Sequence, residues 1–283
     1  MYATVRAEEV PAATQGDQLD TLVLAEGGEF HKPAIEEFFP PALLFEGTPF
    51  ELDRVMLIRI LMTVVLAAFF LIAMRRPKLV PRGIQNLGEM ALDFVRINIA
   101  EDVLGKENGR RFLPLLTTFF FLIWATNLSG IIPFLNMPST ARIGLPLALA
   151  VVAYLAFNYA GIKAQGVGGY LKSNLFPPGV PKPLYVLVTP IELVSVFLIR
   201  PGTLMIRLMA NMLAGHMALV LFFSAAWYLM FQAGDLVLAP AGFLSLVMGL
   251  MFTLFELMVQ FLQAYIFTLL TAVYIDGALH AEH

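Results

Sequence analysis

The stretch LYVLVTPIELVSVFLIRPGTLMIRLMANMLAGHMALVLFFSAAWYLMF, Leu184 to Phe231, runs for 48 residues with Glu192, Arg200 and Arg207 as its only permanently ionisable side chains besides His216. As a helix it is about 70 Å long, against a hydrocarbon core of about 30 Å. A second apolar stretch, Leu236 to Ile275, has 40 residues and is about 60 Å long as a helix. Neither fits a bilayer upright, so each is either a hairpin of shorter helices or one helix tilted by about 60°. Pro201-Gly202 offers a kink in the first. The second has only Pro240, near its start, where a helix tolerates it. A hairpin there lacks its turn, and two long oblique helices are the expectation.

The rest of the chain agrees with a membrane setting. Of 283 residues, 59% are hydrophobic and 14% charged, against about 25% charged in a soluble domain, and the mean hydropathy is +0.77. A soluble globule is excluded. Val55 to Met74 is an apolar run broken only by Arg59, long enough to cross once. Arg75, Arg76, Lys78 and Arg82 follow it and mark the cytoplasmic face. Residues 1–53 hold 2 Lys/Arg against 11 Asp/Glu. They lack the apolar core of a targeting signal and read as an extracytoplasmic acidic segment of the mature chain.

From Ile84 to Ile99, Gln85, Asn86, Glu89, Asp93 and Arg96 share one arc of a helical wheel. Ile84, Leu87, Met90, Ala91, Phe94, Val95 and Ile97 take the rest. The reading is an amphipathic helix over 84–104 along the cytoplasmic surface, with packing on a partner protein as the equal alternative. Phe112–Ile132 and Gly144–Ile162 carry no charge and each crosses once. Their link, with Pro133, Pro138 and Arg142, is external, and Lys163, Lys172 and Lys182 return the loop 163–183 to the cytoplasm. The expected fold is an all-α membrane protein of about five transmembrane helices plus one interfacial helix. Its membrane domain, 54–283, has helices at about 55–74, 84–104, 112–132, 144–162, 184–231 and 236–275. The amino terminus lies outside and the carboxyl terminus in the cytoplasm.

The chain has no cysteine, which excludes disulfides, thiolate metal sites and cysteine nucleophiles. No nucleotide loop or basic aromatic stripe suited to nucleic acid is found, and no cofactor or metal is expected. The informative residues are the buried charges. Glu192, Arg200, Arg207, His216 and Glu256 lie in the two long stretches with Asn211, Gln260 and Gln263 among them. A charge at mid-bilayer costs at least about 2.5–3.5 kcal/mol, so such a group marks an ion path by default. Snorkelling beside Pro201 is an equal reading for Arg200. Arg207 and Asn211 are i,i+4 neighbours, and Glu256, Gln260 and Gln263 form a second stripe. His216 lies 180° around the helix from Arg207, free to face Glu256 on the neighbouring helix, where an imidazole and a carboxylate exchange protons.

IRPGTLMIRLMANMLAGH (Ile199 to His216) and QAYIFTLLTAVYI (Gln263 to Ile275) resemble the signature segments of the a-subunit family of rotary F-type ATP synthases. NLSGIIPF (Asn127 to Phe134) resembles the family's N-L-x-x-x-x-P element. The resemblance implies a non-catalytic stator subunit of the bacterial plasma membrane, with two oblique helices against a rotating ring of c subunits that each bear a mid-membrane carboxylate. Other partners it implies are the b subunits of the peripheral stalk and further synthase subunits. Arg207 matches the family's essential arginine. The resemblance places Asn127, His216, Glu256 and Gln263 in an outer half channel, and Glu192, Ser195 and Asn211 on the cytoplasmic side. Gly130 stands where some relatives carry Asp, and Met209 replaces a common Phe.

Physical chemistry fits this picture. Protons need two offset aqueous half channels joined only by a moving carrier. A guanidinium between them lowers the pKa of an approaching carboxylate and never deprotonates, which bars a direct proton hop. The rival readings are a self-contained ion transporter or channel, a passive anchor, and a sodium-coupled version of the same subunit. A transporter usually shows internal repeats, and the sequence has none.

Overall fold

The computed structural model describes Ala34, residues 38–44, 52–75, Lys78, and residues 80–132, 135–175, 184–233 and 237–280. Most of the acidic amino-terminal segment, with Arg76, Pro133, Phe134 and Lys182, lies outside the described residues. Seven α-helices are described: α1 (Arg54–Met74), α2 (Ile84–Val95), α3 (Asp102–Leu128), α4 (Gly144–Leu175), α5 (Tyr185–Val194), α6 (Arg200–Trp227) and α7 (Ala239–Leu279). π-helical turns at Arg96–Glu101, Ser195–Ile199 and Tyr228–Gln232 join or extend them. Among the described residues five helical runs are long and apolar enough to cross a membrane: α1, Ile84–Leu128, α4, Tyr185–Gln232 and α7. A two-stranded antiparallel ribbon, β1 (Ala42–Leu44) with β2 (Leu52–Asp53), precedes α1.

Asp53 caps α1 by accepting from the Met56 N–H at 2.7 Å. Ile84–Leu128 is not one span, because Gly105 takes φ 73°, ψ 172° and interrupts the helix. Beyond that break, a Cβ on Gly109 would stand 2.8 Å from the Ala100 carbonyl oxygen. The chain therefore folds back on itself at Gly105, with glycine allowing the close approach. The interfacial helix expected over 84–104 ends at this break, but its apolar side divides. Val95 is fully buried and Phe94 stacks with Phe120, Phe261 and Tyr265, whereas Ile84, Leu87, Met90 and Ile97 stay exposed.

Other boundaries differ from the sequence reading. α3 stops at Leu128, four residues short of the expected end, and its last carbonyls are taken by a turn through Gly130, Ile131 and Ile132. α4 continues to Leu175 instead of ending at Ile162, with a second break at Gly166 (φ 74°). After it the chain returns: Tyr170 covers Gly161 so closely that a Cβ there would overlap its ring, and its hydroxyl donates to Asn158 Oδ1 at 3.1 Å. Part of the expected cytoplasmic loop is thus helical. The kink expected at Pro201-Gly202 takes the form of the π-helical turn just before it, where the Arg200 N–H reaches back to the Ser195 carbonyl. Pro201 has no N–H to continue the ladder. Tyr185–Gln232 and Ala239–Leu279, at 48 and 41 residues, amount to about 72 and 62 Å of helix, at least about twice the thickness of a hydrocarbon core.

The chain divides into two compact units, Met1–Ala34 with Ala218–Phe252, and Ile35–Met217 with Thr253–His283. In the first, α6 and α7 pack through small residues. Ser245 donates to the Phe222 carbonyl at 2.9 Å, and a Cβ on Gly242 would come within 2.6 Å of Met230. The second unit holds the main core: Ile99, Leu116, Phe119, Phe120, Ile123, Phe157, Leu204, Leu208, Phe267 and Ile275 are all fully buried. Ala264, Thr268, Thr271 and Ala272 of α7 are also fully buried, the small side chains that let membrane helices approach. The two threonine hydroxyls donate to the carbonyls of Ala264 and Phe267 at 2.8 and 2.9 Å, which meets the demand for internal hydrogen bonds in lipid.

Candidate functional site

The site lies within the larger unit, on the facing parts of α3, α6 and α7. Leu204, Leu208 and Met212 turn into the core of that unit, and the opposite edge of α6 presents Thr203, Ile206, Arg207, Ala210, Asn211 and Ala214 as exposed residues. Arg207 is the twenty-third residue of the 48-residue run Tyr185–Gln232, close to its middle. Among the described residues no carboxylate forms an ion pair with it; the ion pairs run from Arg96 to Asp93 and Glu101, from Arg142 to Asp53, and from His280 to Asp276. Alongside, α7 exposes Leu254, Leu257, Met258 and Phe261. An unpaired cation thus sits in a broad apolar surface of two helices.

Behind that surface the polar residues meet. The Asn211 Nδ2 donates to Gln263 Oε1 at 2.9 Å. Asn127, Asn211, Glu256, Gln260 and Gln263 line one crevice with Leu208, Met212 and Val259, packed too closely to admit a water. Burial there is nearly complete: Asn127 is 1% exposed, Glu256 2%, Gln260 1% and Gln263 4%. Gly215 makes the crevice possible, because a Cβ on it would overlap the Glu256 carboxylate. Glu256 therefore lies in a notch of α6 at the residue next to His216, which is 5% exposed and meets the Phe38 ring edge-on at 5.3 Å. Glu256 Oε1 and Gln263 Nε2 make no hydrogen bond among the described residues.

The structure thus brings Asn127, Asn211, Glu256 and Gln263 into one cluster, with His216 beside the notch that holds Glu256. It does not bring Glu192 and Ser195 there. They lie half-buried on α5 and the following π-helical turn, 15 and 12 residues before Arg207, or about 22 and 18 Å along the helix. Arg200 stacks its guanidinium over Tyr274 at 5.5 Å to the ring centre, a packing role in keeping with the snorkelling alternative. At Gly130 an added Cβ would meet the Met212 terminal methyl at 2.9 Å and Pro138 Cβ at 3.0 Å, so a side chain here requires these neighbours to give way.

Two members of the site were not chosen from the sequence. Gln260 was legible as part of the Glu256 stripe but had no assigned task. Thr140, whose hydroxyl donates to Asn127 Oδ1, lies in an irregular segment 13 residues on, and no sequence pattern points to it. Among the described residues no group of three His, Asp or Glu side chains is placed to hold a metal.

Residues 56–276 match the family model described as ATP synthase A chain. A curated protein named ATP synthase subunit a from Rhodococcus erythropolis is 61% identical over 254 residues, covering 90% of this chain and 92% of the relative. Proteins of the same name from Frankia alni and Pseudarthrobacter chlorophenolicus are 41% and 39% identical, each covering 92% of this chain and 90% and 97% of the relative.

Proposed function

The chain belongs to the ATP synthase A chain family, and on that premise we propose that it is the ion-conducting stator subunit of a rotary synthase, placing Arg207 against a ring of c subunits in the bacterial plasma membrane. One observation carries this reading: Arg207 is exposed at mid-helix, without a carboxylate partner among the described residues, on a largely apolar face where Thr203 and Asn211 are its only exposed polar neighbours along that edge of α6. A permanent charge in such a place is costly unless something meets it. A ring carboxylate that moves past supplies the partner intermittently.

The working cycle follows from the side chains. An approaching c carboxylate is drawn to Arg207, its pKa falls, and it releases its proton towards the cytoplasmic side past Asn211, Ser195 and Glu192. After a step of the ring, the carboxylate is reloaded through the outer half channel, where Asn127, His216, Glu256 and Gln263 support water and relay protons. Glu256 Oε1 and Gln263 Nε2, which make no hydrogen bond among the described residues, suit that path, since the carboxylate oxygen keeps an acceptor site and the amide its N–H donors for a proton-carrying water. Arg207 also separates the half channels, because guanidinium does not deprotonate. The drive is about 2.3 kcal/mol per proton per 100 mV. The b subunits and other synthase subunits hold the chain against rotation, with its amino terminus outside and its carboxyl terminus in the cytoplasm.

The test is reconstitution of the whole synthase in liposomes. Arg207→Ala should abolish ATP-driven proton pumping while the complex still assembles. Normal pumping rejects the role given to Arg207. Proton conduction by the chain alone, without the ring, rejects the stator reading in favour of a self-contained channel.

A further inference from the structure

Arg59 is another charged side chain inside an apolar helix, and the ion path described above makes no use of it. It is half-buried on α1, and its Nη2 donates to the Ser139 carbonyl at 3.1 Å. Arg54 Nη2 donates to the Leu135 carbonyl at 3.2 Å, and Arg142 forms an ion pair with Asp53, the cap of α1. The segment between α3 and α4 is therefore fastened to α1 through three arginines. It is fastened a second time to α3, where the single Ser129 hydroxyl proton is shared between the carbonyls of Thr126 and Met137, at 2.7 and 2.9 Å from Oγ. Ser129, Ser139 and Thr140 have no exposed surface.

Thr140 stands between these fastenings, and its hydroxyl donates to Asn127 Oδ1. A carboxamide has one acceptor end and one donor end. With the oxygen occupied by Thr140, the Asn127 Nδ2 is the end left for the crevice that Asn127 shares with Glu256, Gln260 and Gln263. A donor there stabilises a carboxylate, whereas the flipped amide would set its oxygen against carboxylate oxygens. Buried networks of this kind depend on every member being correctly turned.

We propose that Thr140 is a positioning residue of the outer half channel: it holds the Asn127 carboxamide with its N–H groups towards Glu256, and Arg59 clamps the segment that brings Thr140 into place. The inference rests on the reading of Asn127 and Glu256 as members of the ion path. Thr140 touches no carrier itself and acts through Asn127.

The experiment uses the intact synthase in liposomes, with proton flux measured as the pH on the outer-channel side is varied. Thr140→Val keeps the shape and removes the donor; it should lower flux about five- to tenfold, the worth of one buried hydrogen bond, and displace the pH profile. Thr140→Ser should restore both. Asn127→Ala should be at least as slow, and adding Thr140→Val to it should change nothing further. Arg59→Gln, which releases the clamp without touching the site, should displace the profile in the same direction, and it supplies this readout if Thr140→Val fails to assemble. Normal flux and an unmoved profile in Thr140→Val, with Asn127→Ala slow, overturn the positioning role alone. So does Thr140→Ser behaving like Thr140→Val. Wild-type flux in Asn127→Ala removes Asn127 from the path and takes this inference with it.

Discussion

Gly215→Ala is the smallest change that tests the site, because it adds one methyl group where the Glu256 carboxylate rests. The new Cβ would overlap the carboxyl carbon and both oxygens of Glu256, and ordinary contact requires about 3.4–4 Å. The carboxylate has to retreat by about 1 Å or more, inside a crevice too narrow to admit a water. Overpacking of this kind costs about 1–3 kcal/mol, and a shift of about 1 Å in a reacting group lowers rates by up to about 10²-fold. Since about 1.4 kcal/mol is tenfold, passive and ATP-driven proton flux should fall about 10- to 100-fold, with assembly retained. The assay is dye-monitored acidification in liposomes carrying the intact complex, normalised to the amount of assembled subunit. Glu256→Asp shortens the side chain by one methylene, so Gly215→Ala with Glu256→Asp should be faster than Gly215→Ala alone, a non-additivity expected only of residues in contact. Wild-type flux in Gly215→Ala refutes the argument, and strict additivity in the pair shows that the notch is not what positions Glu256.

Further expectations concern the framework. Replacing Gln263 by Leu removes the acceptor of the Asn211 bond and should cost about 1–3 kcal/mol, read as a lower Tm of the purified complex together with slowed flux; Gln263→Glu keeps the acceptor and should retain most of the stability. Gly109→Ala drives a Cβ against the Ala100 carbonyl and should lower thermal stability by about 1–3 kcal/mol through the fold-back at Gly105, measured as loss of assembled subunit on heating in detergent. Asp53→Asn retains an N-cap for α1 while removing the charge that pairs with Arg142, whereas Asp53→Ala removes both. The alanine variant should therefore be the less stable of the two by about 1 kcal/mol, and equal stability would show that the cap bond to Met56 contributes nothing.

Much of the fold was legible in the sequence because lipid imposes simple rules. The long apolar runs of α1, α6 and α7 show in hydropathy alone, since backbone groups in hydrocarbon leave only the helix as a solution for such runs. Pro201 marked the irregularity before α6, because the missing N–H acts locally. The helix ends were read less well. Neither Gly105 nor Gly166 stood out as a reversal point, since a glycine in an apolar or polar run looks the same whether it continues a helix or breaks it at positive φ. The end of α3 at Leu128 is set by a turn and by Ser129 contacts with Met137, which hydropathy does not report.

The candidate site divides in the same way. The residue types, their costly placement and the i,i+4 stripes of Arg207–Asn211 and Glu256–Gln260 belong to the sequence, because a helix fixes which of its own side chains share a face. Which faces meet is decided between helices. That Asn211 grips Gln263, that Glu256 rests on Gly215, and that Thr140 turns Asn127 all depend on packing across 13 to 52 residues of chain. Periodicity carries no information about such encounters, since rotating one helix about its axis leaves its own pattern untouched while changing every partner. The sequence alone determined an α-helical membrane chain with a permanent charge set in the middle of an apolar helix; tertiary structure alone decided that this charge faces outward and that the other polar groups close behind it.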